Sequence, residues 1–162
     1  MAHSIIALIQ SLAKLLKLHR SLVELADRKT DIIKKGDMEA LNQLVKEEAK
    51  VVQAIKSADA EREQAAAAFS AGESVSLNEI ISRTSGRERE QLEGLQTALT
   101  ETLQTLKLKN DLNQELVQSS LDYVHLSLDL MRPEPEQVVY GRPNSKPQQK
   151  SQSGRSIFDS KA

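Results

Sequence analysis

Residues 31–45 read DIIKKGDMEALNQLV, and the Gly-Asp pair in the middle of this stretch predicts a sharp reversal between two helices. Lys34 and Lys35 are cations, which are favoured in the last turn of a helix because that end of the helix dipole is negative. Gly36 can adopt the positive φ of a residue that follows a helix, and Asp37 is of a type preferred as N-cap. A connection this short makes the two helices antiparallel neighbours.

The segment before the junction has apolar residues in a nearly seven-residue repeat, which predicts one long helix from about residue 4 to residue 35. No cationic stretch precedes the first apolar residues, so we expect no signal peptide. The repeating positions are Ile5, Leu8, Leu12, Leu15, Leu22, Ala26 and Ile33.

The segment after the junction continues the helical pattern to near Gly72, with Glu47, Glu48 and Lys50 expected on its outer face. Its apolar positions are Met38, Leu41, Leu44, Val45, Val51, Val52, Ile55, Ala58 and Phe69.

Two Ser-x-x-Glu patterns follow, and each is typical of a capping box, in which the serine and glutamate side chains satisfy amides at a helix start. Ser76 with Glu79 predicts a short helix over about residues 76–83. Ser85 with Glu88 predicts the start of a long last helix.

The last helix has no proline until Pro133, so it spans roughly 45 residues, or about 67 Å, against about 48 Å for the first helix. About 20 Å of it therefore lacks a partner of equal length, and we expect this to be its C-terminal end. Residues 116–131, LVQSSLDYVHLSLDLM, are more apolar than exposure to water favours. Such a surface marks either core packing or a partner site.

Asn110 and Asn113 interrupt the apolar stripe of this helix. They fix the register of the bundle, as buried polar residues do in coiled coils, or they hydrogen-bond to a bound peptide. The first interpretation is the favoured one.

All four prolines lie after residue 132, where Ser, Gln and Lys are also frequent. Residues 1–131 carry a net charge of -4 and residues 132–162 a net charge of +3. The tail cannot bury enough apolar surface to fold alone, and we expect it to be disordered. The sequence thus predicts two parts, a helical bundle over 1–131 and a flexible tail over 132–162. The predicted fold is an all-α, elongated antiparallel bundle or coiled coil of three long helices and one short helix.

Composition excludes several classes of function. The 162 residues have a net charge of -1, which argues against nucleic-acid binding, and no cysteine, which removes disulfides and thiolate metal sites. No stretch is apolar enough for a membrane span, so we expect no membrane insertion. We also expect no cofactor, because the sequence has no nucleotide-binding or metal-binding motif. Aromatic residues make up 2% of the chain, which favours thin helical packing.

The sequence contains no motif for nucleotide binding or hydrolysis, and we expect no enzyme. His19 falls on the apolar register, where a packed histidine is favoured over a metal ligand or a pH switch. The pairs Glu47–Glu48 and Glu61–Glu63 have the composition of catalytic carboxylates, but solvated helix charges are favoured.

The ordered combination of these features resembles the FlgN family of flagellar export chaperones, in its Gram-positive form. The features are the junction Gly36-Asp37-Met38-Glu39-Ala40-Leu41, the pairs Glu47-Glu48 and Glu61-Arg62, the pair Asn110 and Asn113, the tail motif Val139-Tyr140-Gly141 and the ending Ser156-Ile157-Phe158-Asp159-Ser160-Lys161-Ala162. The resemblance covers essentially the whole chain, and it departs from the family pattern where Arg142-Pro143 follows the Tyr-Gly pair.

The resemblance implies a cytoplasmic chaperone that binds the terminal helices of the hook–filament junction proteins FlgK and FlgL and delivers them to the type III export apparatus. It implies that the C-terminal half holds the client, and that Tyr140 with Gly141 contacts the export gate component FlhA. Apolar anchors at helical spacing predict the client-binding residues. The apolar anchors are Val117, Leu121, Val124, Leu128 and Met131, and Asn113 is added to the predicted client-binding residues as a hydrogen-bonding side chain.

Two other interpretations remain open from the residues. The last helix can pair with its own copy, which makes the protein a coiled-coil self-association or adaptor module, or a homo-oligomer when no client is bound. A helical enzyme or metal protein is the remote alternative.

Overall fold

The computed structural model describes residues 2–132, and this part of the chain contains four helices and no strand. Helix α1 covers Ala2–Lys35, α2 covers Met38–Phe69, α3 covers Leu77–Ser82 and α4 covers Gly86–Met131. The predicted all-α class with three long helices and one short helix is confirmed. Helix α4 has 46 residues and α1 has 34, so the predicted difference in length is also present.

The chain divides into two compact units, residues 1–118 and residues 119–162. Of the second unit, residues 119–132 are described. The division falls inside α4, whereas the boundary predicted from the prolines lies between residues 131 and 132 and stays a prediction.

The junction between α1 and α2 has the predicted geometry. Gly36 has φ of +73° and its amide donates to the carbonyl oxygens of Ile32 and Ile33. Asp37 has an extended backbone, and its carboxylate accepts a hydrogen bond of 3.0 Å from the amide of Ala40. Both signals are local, which is why the sequence alone located this reversal.

Helices α1 and α2 are antiparallel, because three ion pairs join the first half of α1 to the second half of α2 and the second half of α1 to the first half of α2. The pairs are Lys14–Glu61 at 3.3 Å, Arg28–Glu47 at 3.1 Å and Lys29–Glu48 at 2.8 Å. The expected outer face holds for Glu47 and Lys50, which are exposed, whereas Glu48 is half-buried beside Lys29. Both carboxylates reach across to cations of α1.

The core of the first unit lies where the first half of α1 meets the second half of α2, the short helix α3 and the start of α4. Leu8, Ile80 and Leu92 have almost no exposed surface. The other buried members of this cluster are Ile5, Leu12, Leu15, Ala58, Ala65, Phe69 and Ile81. Burying this apolar surface is the main stabilising contribution to the unit.

The two predicted capping boxes have different outcomes. The hydroxyl of Ser76 accepts a hydrogen bond of 3.2 Å from the amide of Glu79, and helix α3 starts at the next residue, as predicted. The start of α4 is also as predicted, because the helix begins at Gly86, directly after Ser85. The capping box itself was wrong, since no hydrogen bond joins Ser85 and Glu88 in the described structure. Gly86 has φ of +65°, in the left-handed region that glycine adopts readily.

Within the first unit, α4 runs in the same direction as α1. Leu92 at its start packs with Leu8 and other residues from the first half of α1. Farther along α4, Lys109 forms an ion pair with Asp27, and Asn113 bonds to Ala26, in the second half of α1.

Candidate partner-binding site

The last three turns of α4 carry seven large apolar side chains, and all seven are exposed. Their exposed fractions run from 48% to 80%, whereas the core leucines of the first unit are 9% exposed or less. They are Leu121, Tyr123, Val124, Leu126, Leu128, Leu130 and Met131. Exposure of this much contiguous apolar surface is unfavourable in water and typical of a partner site.

Four of these seven residues are among the client contacts predicted from the sequence. Leu121, Val124, Leu128 and Met131 follow one another at spacings of three or four residues, which places them on one face of the helix. They all lie in the second unit.

Val117 is also a predicted client contact, and it lies in the first unit with 39% of its surface exposed.

Asn113 occupies a different environment, because its side chain is buried and hydrogen-bonded to α1. Its Nδ2 donates to the carbonyl oxygen of Ala26 at 2.9 Å, and its Oδ1 accepts from the hydroxyl of Thr30 at 2.5 Å. Asn113 is 4% exposed, and both its Nδ2 and its Oδ1 are hydrogen-bonded within the first unit. These contacts agree with the interpretation in which Asn113 fixes the register of the bundle. We therefore leave Asn113 out of the proposed client surface.

Asn110 is exposed and lines a groove of about 540 Å³ between α2 and α4. The floor of the groove is Leu22 of α1, and Val45 and Val52 form the α2 wall with 48% and 41% of their surfaces exposed. The sequence placed both valines on the apolar stripe of α2. It missed their exposure, because periodicity identifies an apolar face without showing whether a neighbouring helix covers it.

The acidic residues that resemble catalytic pairs have structural partners. The guanidinium of Arg28 donates two hydrogen bonds to the carboxylate of Glu47, and this contact lowers the pKa of Glu47 below its usual value of 4.5. Glu48 and Glu61 pair with Lys29 and Lys14. Because Arg28 holds the Glu47 carboxylate ionised, Glu47 is a poor general acid.

His19 has the packed environment that the sequence favoured. Its Nδ1 lies 2.8 Å from the carbonyl oxygen of Leu15, one turn earlier in α1, and this distance fits a hydrogen bond donated by the ring. No group of three or more His, Cys, Asp or Glu residues suited to a metal ion occurs among the described residues.

Tyr140 and Gly141, the predicted contacts with the export gate, lie outside the described residues. Within residues 2–132, no helix combines the length and the apolar character that crossing a membrane requires.

Comparison with known proteins identifies the family to which the chain belongs. The sequence model described as "FlgN protein" matches residues 1–148, which include all four helices and the Tyr-Gly pair. The chain belongs to the FlgN family. FlgN proteins are flagellar export chaperones rather than enzymes, so the resemblance found in the sequence is confirmed at the level of the family.

One curated relative of this FlgN chain comes from Bacillus subtilis (strain 168). It is named "Uncharacterized protein YvyG" and is 32% identical over 157 residues, which cover 96% of this chain and 98% of the relative. No solved structure is significantly similar to the chain.

Proposed function

We propose that this FlgN-family protein binds the terminal helices of the hook–filament junction proteins FlgK and FlgL, keeps them from assembling or aggregating early, and delivers them to the export gate. The observation that carries the proposal is the exposure of all seven large apolar side chains at the end of α4. A chaperone needs a surface of this kind before its client arrives.

The proposed client surface contains Leu121, Val124, Leu128 and Met131 of the second unit. An amphipathic client helix with anchors at i, i+3, i+4 and i+7 matches this spacing. Burial of apolar area stabilises the complex by about 25 cal/mol per Å², less the costs of association and side-chain ordering. Val117 remains a proposed client contact of the first unit.

Aspartate substitution at two anchors tests the client surface. Leu121→Asp with Leu128→Asp places two charges where client side chains are to be buried, so we expect loss of FlgK binding in a calorimetric titration. The matched control is Gln118→Asp with His125→Asp, which adds the same two charges with the same seven-residue spacing on another side of α4. Circular dichroism verifies that both proteins stay helical.

Three results are informative in this titration. Full FlgK binding by the Leu121→Asp, Leu128→Asp protein rejects the client surface. Equal loss in the control protein also rejects it, because charge on the helix then matters irrespective of position. Failure of the unmodified protein to bind FlgK or FlgL rejects the proposed function.

For delivery, we propose that Tyr140 and Gly141 contact FlhA in the cytoplasm. Client and gate contacts on one chain allow both partners to be bound at once, because linking two binding sites raises the effective concentration of the second contact. Tyr140→Ala is then expected to abolish FlhA binding and to leave FlgK binding unchanged. Loss of FlgK binding in Tyr140→Ala contradicts this separation of roles.

Self-association is the second candidate function, and the same exposed apolar surface favours it. A second copy of the chain can cover part of the end of α4 when no client is present. Multi-angle light scattering separates the two functions. A monomer, or a dimer that dissociates when FlgK is added, supports the chaperone, whereas a dimer that persists with excess FlgK supports the adaptor module.

A further inference from the structure

The exposed end of α4 has two apolar faces rather than one. A helix turns by about 100° per residue, so Leu121, Val124, Leu128 and Met131 share one face, here called face A. Tyr123, Leu126 and Leu130 share another face, here called face B, whose centre lies about 150° around the helix from that of face A.

Polar residues separate the two faces on both sides. Ser120 and Ser127 lie along one boundary, and Asp122 and Asp129 lie along the other. Asp129 is 3.7 Å from the guanidinium of Arg132, so this boundary also carries an ion pair. The helix end is therefore doubly amphipathic. This pattern is typical of a helix that packs between two neighbours.

The area of each face indicates how much of a partner it can hold. With three or four large side chains that are 48% to 80% exposed, each face offers on the order of 400 Å². A stable protein–protein interface buries roughly 800 Å² on each partner. One face alone supplies about half of this area, and the two faces together supply nearly all of it.

We propose that one client molecule clasps the end of α4 with two amphipathic helical segments, one packed on face A and the other on face B. This inference rests on the proposed function and deepens it, because it states what the client must contribute. A single client helix, or the equivalent helix of a second copy, covers one face and leaves the other in water. A client with two helices covers both.

Matched variants on the two faces test the proposal with the full chain and full-length FlgK of the same organism. Leu121→Ser with Leu128→Ser alters face A, and Leu126→Ser with Leu130→Ser alters face B by the same chemistry. All four side chains are exposed, so the fold of the free protein does not depend on them. Met38→Ser, at a residue of the first unit that is 65% exposed, is the control.

In calorimetric titrations the unmodified protein is expected to bind FlgK with one-to-one stoichiometry. Each double variant is expected to weaken binding about thirty-fold, and Met38→Ser is expected to leave the affinity unchanged. An isolated terminal helix of FlgK is expected to be sensitive to the variant of one face alone.

Three outcomes overturn the proposal. In the first, the face A variant binds weakly and the face B variant binds normally, which leaves the proposed function standing with a single client helix. In the second, two FlgK molecules bind each chain. In the third, neither FlgK nor FlgL binds the unmodified, folded protein, and the proposed function fails as well.

Discussion

Replacing Asn113 by alanine removes the two hydrogen bonds that join α4 to α1 at a buried position. Each such bond contributes about 1 kcal/mol to the free energy of unfolding. The hydroxyl of Thr30 lies 3.0 Å from the carbonyl oxygen of Ala26 and can donate to it once Asn113 is gone, so little unsatisfied polar surface is left behind. We therefore expect Asn113→Ala to lower the free energy of unfolding by about 2 kcal/mol.

Urea denaturation followed by circular dichroism at 222 nm measures this change, and a thermal scan should show a fall of roughly 6–8 °C in Tm. Asn110→Ala is the matched control, since Asn110 is the same residue type one turn earlier in α4 but is exposed. Its free energy of unfolding should change by less than about 0.5 kcal/mol.

A double-mutant cycle with Thr30→Val isolates the contact between the two side chains. Thr30→Val removes the donor to Asn113 Oδ1, and its effect should be smaller in the Asn113→Ala protein than in the unmodified one. Equal stabilities of Asn113→Ala and Asn110→Ala, or strict additivity in the cycle, would refute the assignment of Asn113 as the residue that fixes the position of α4 on α1.

Three further perturbations test the fold of the first unit. Ser76→Ala should cost about 1 kcal/mol of stability by removing the cap of α3, whereas Ser85→Ala, which removes no such cap, should cost far less; equal costs contradict the assigned caps. Leu8→Ala should cost about 2–5 kcal/mol in urea denaturation, because Leu8 is 1% exposed, and a cost below about 1 kcal/mol contradicts its place in the core. Arg28 depresses the pKa of Glu47, so this ion pair stabilises the fold above about pH 4.5 and its contribution is lost as the pH falls through the depressed value. Glu47→Gln should accordingly be less stable than the unmodified protein at pH 7, and urea denaturation should show the difference shrinking as the pH falls below 4.5; a difference that does not change with pH contradicts the assignment.

Sequence reasoning succeeded where short-range signals decide the structure. Gly36, Asp37 and Ser76 act on amides or carbonyls within four residues of themselves, and each lies where the pattern predicted. At Ser85 the pattern located the start of α4 but not its cap, since the residue that follows is a glycine with φ of +65°. That backbone conformation is not encoded in the capping pattern.

Contacts between helices were harder to predict. Asn110 and Asn113 look equivalent in the apolar stripe, yet one is exposed and the other bonds to Ala26 and Thr30. The choice between them depends on the rotation of α4 against α1, which a single sequence does not specify. Whether Glu47 reaches Arg28 depends in the same way on the register of α2 against α1.

At the candidate site, too, the sequence identified the residues but not whether they are buried or exposed. The sequence showed that the end of α4 is apolar, and that exposing these side chains to water would be unfavourable. Core packing and partner binding predict the same residues, so the sequence could not choose between them. The exposed fractions of Leu121, Val124 and Leu128 favour partner binding.

Hydrogen exchange followed by mass spectrometry tests the central claim most directly, because it reports on the end of α4 in the unmodified protein. Amides of residues 119–131 should exchange rapidly in the free protein, where their apolar side chains are exposed, and slowly when FlgK is bound. Slower exchange of these amides in the complex is the result the account predicts. Unchanged exchange over 119–131 in a solution saturated with FlgK, or protection restricted to residues 2–118, would contradict it.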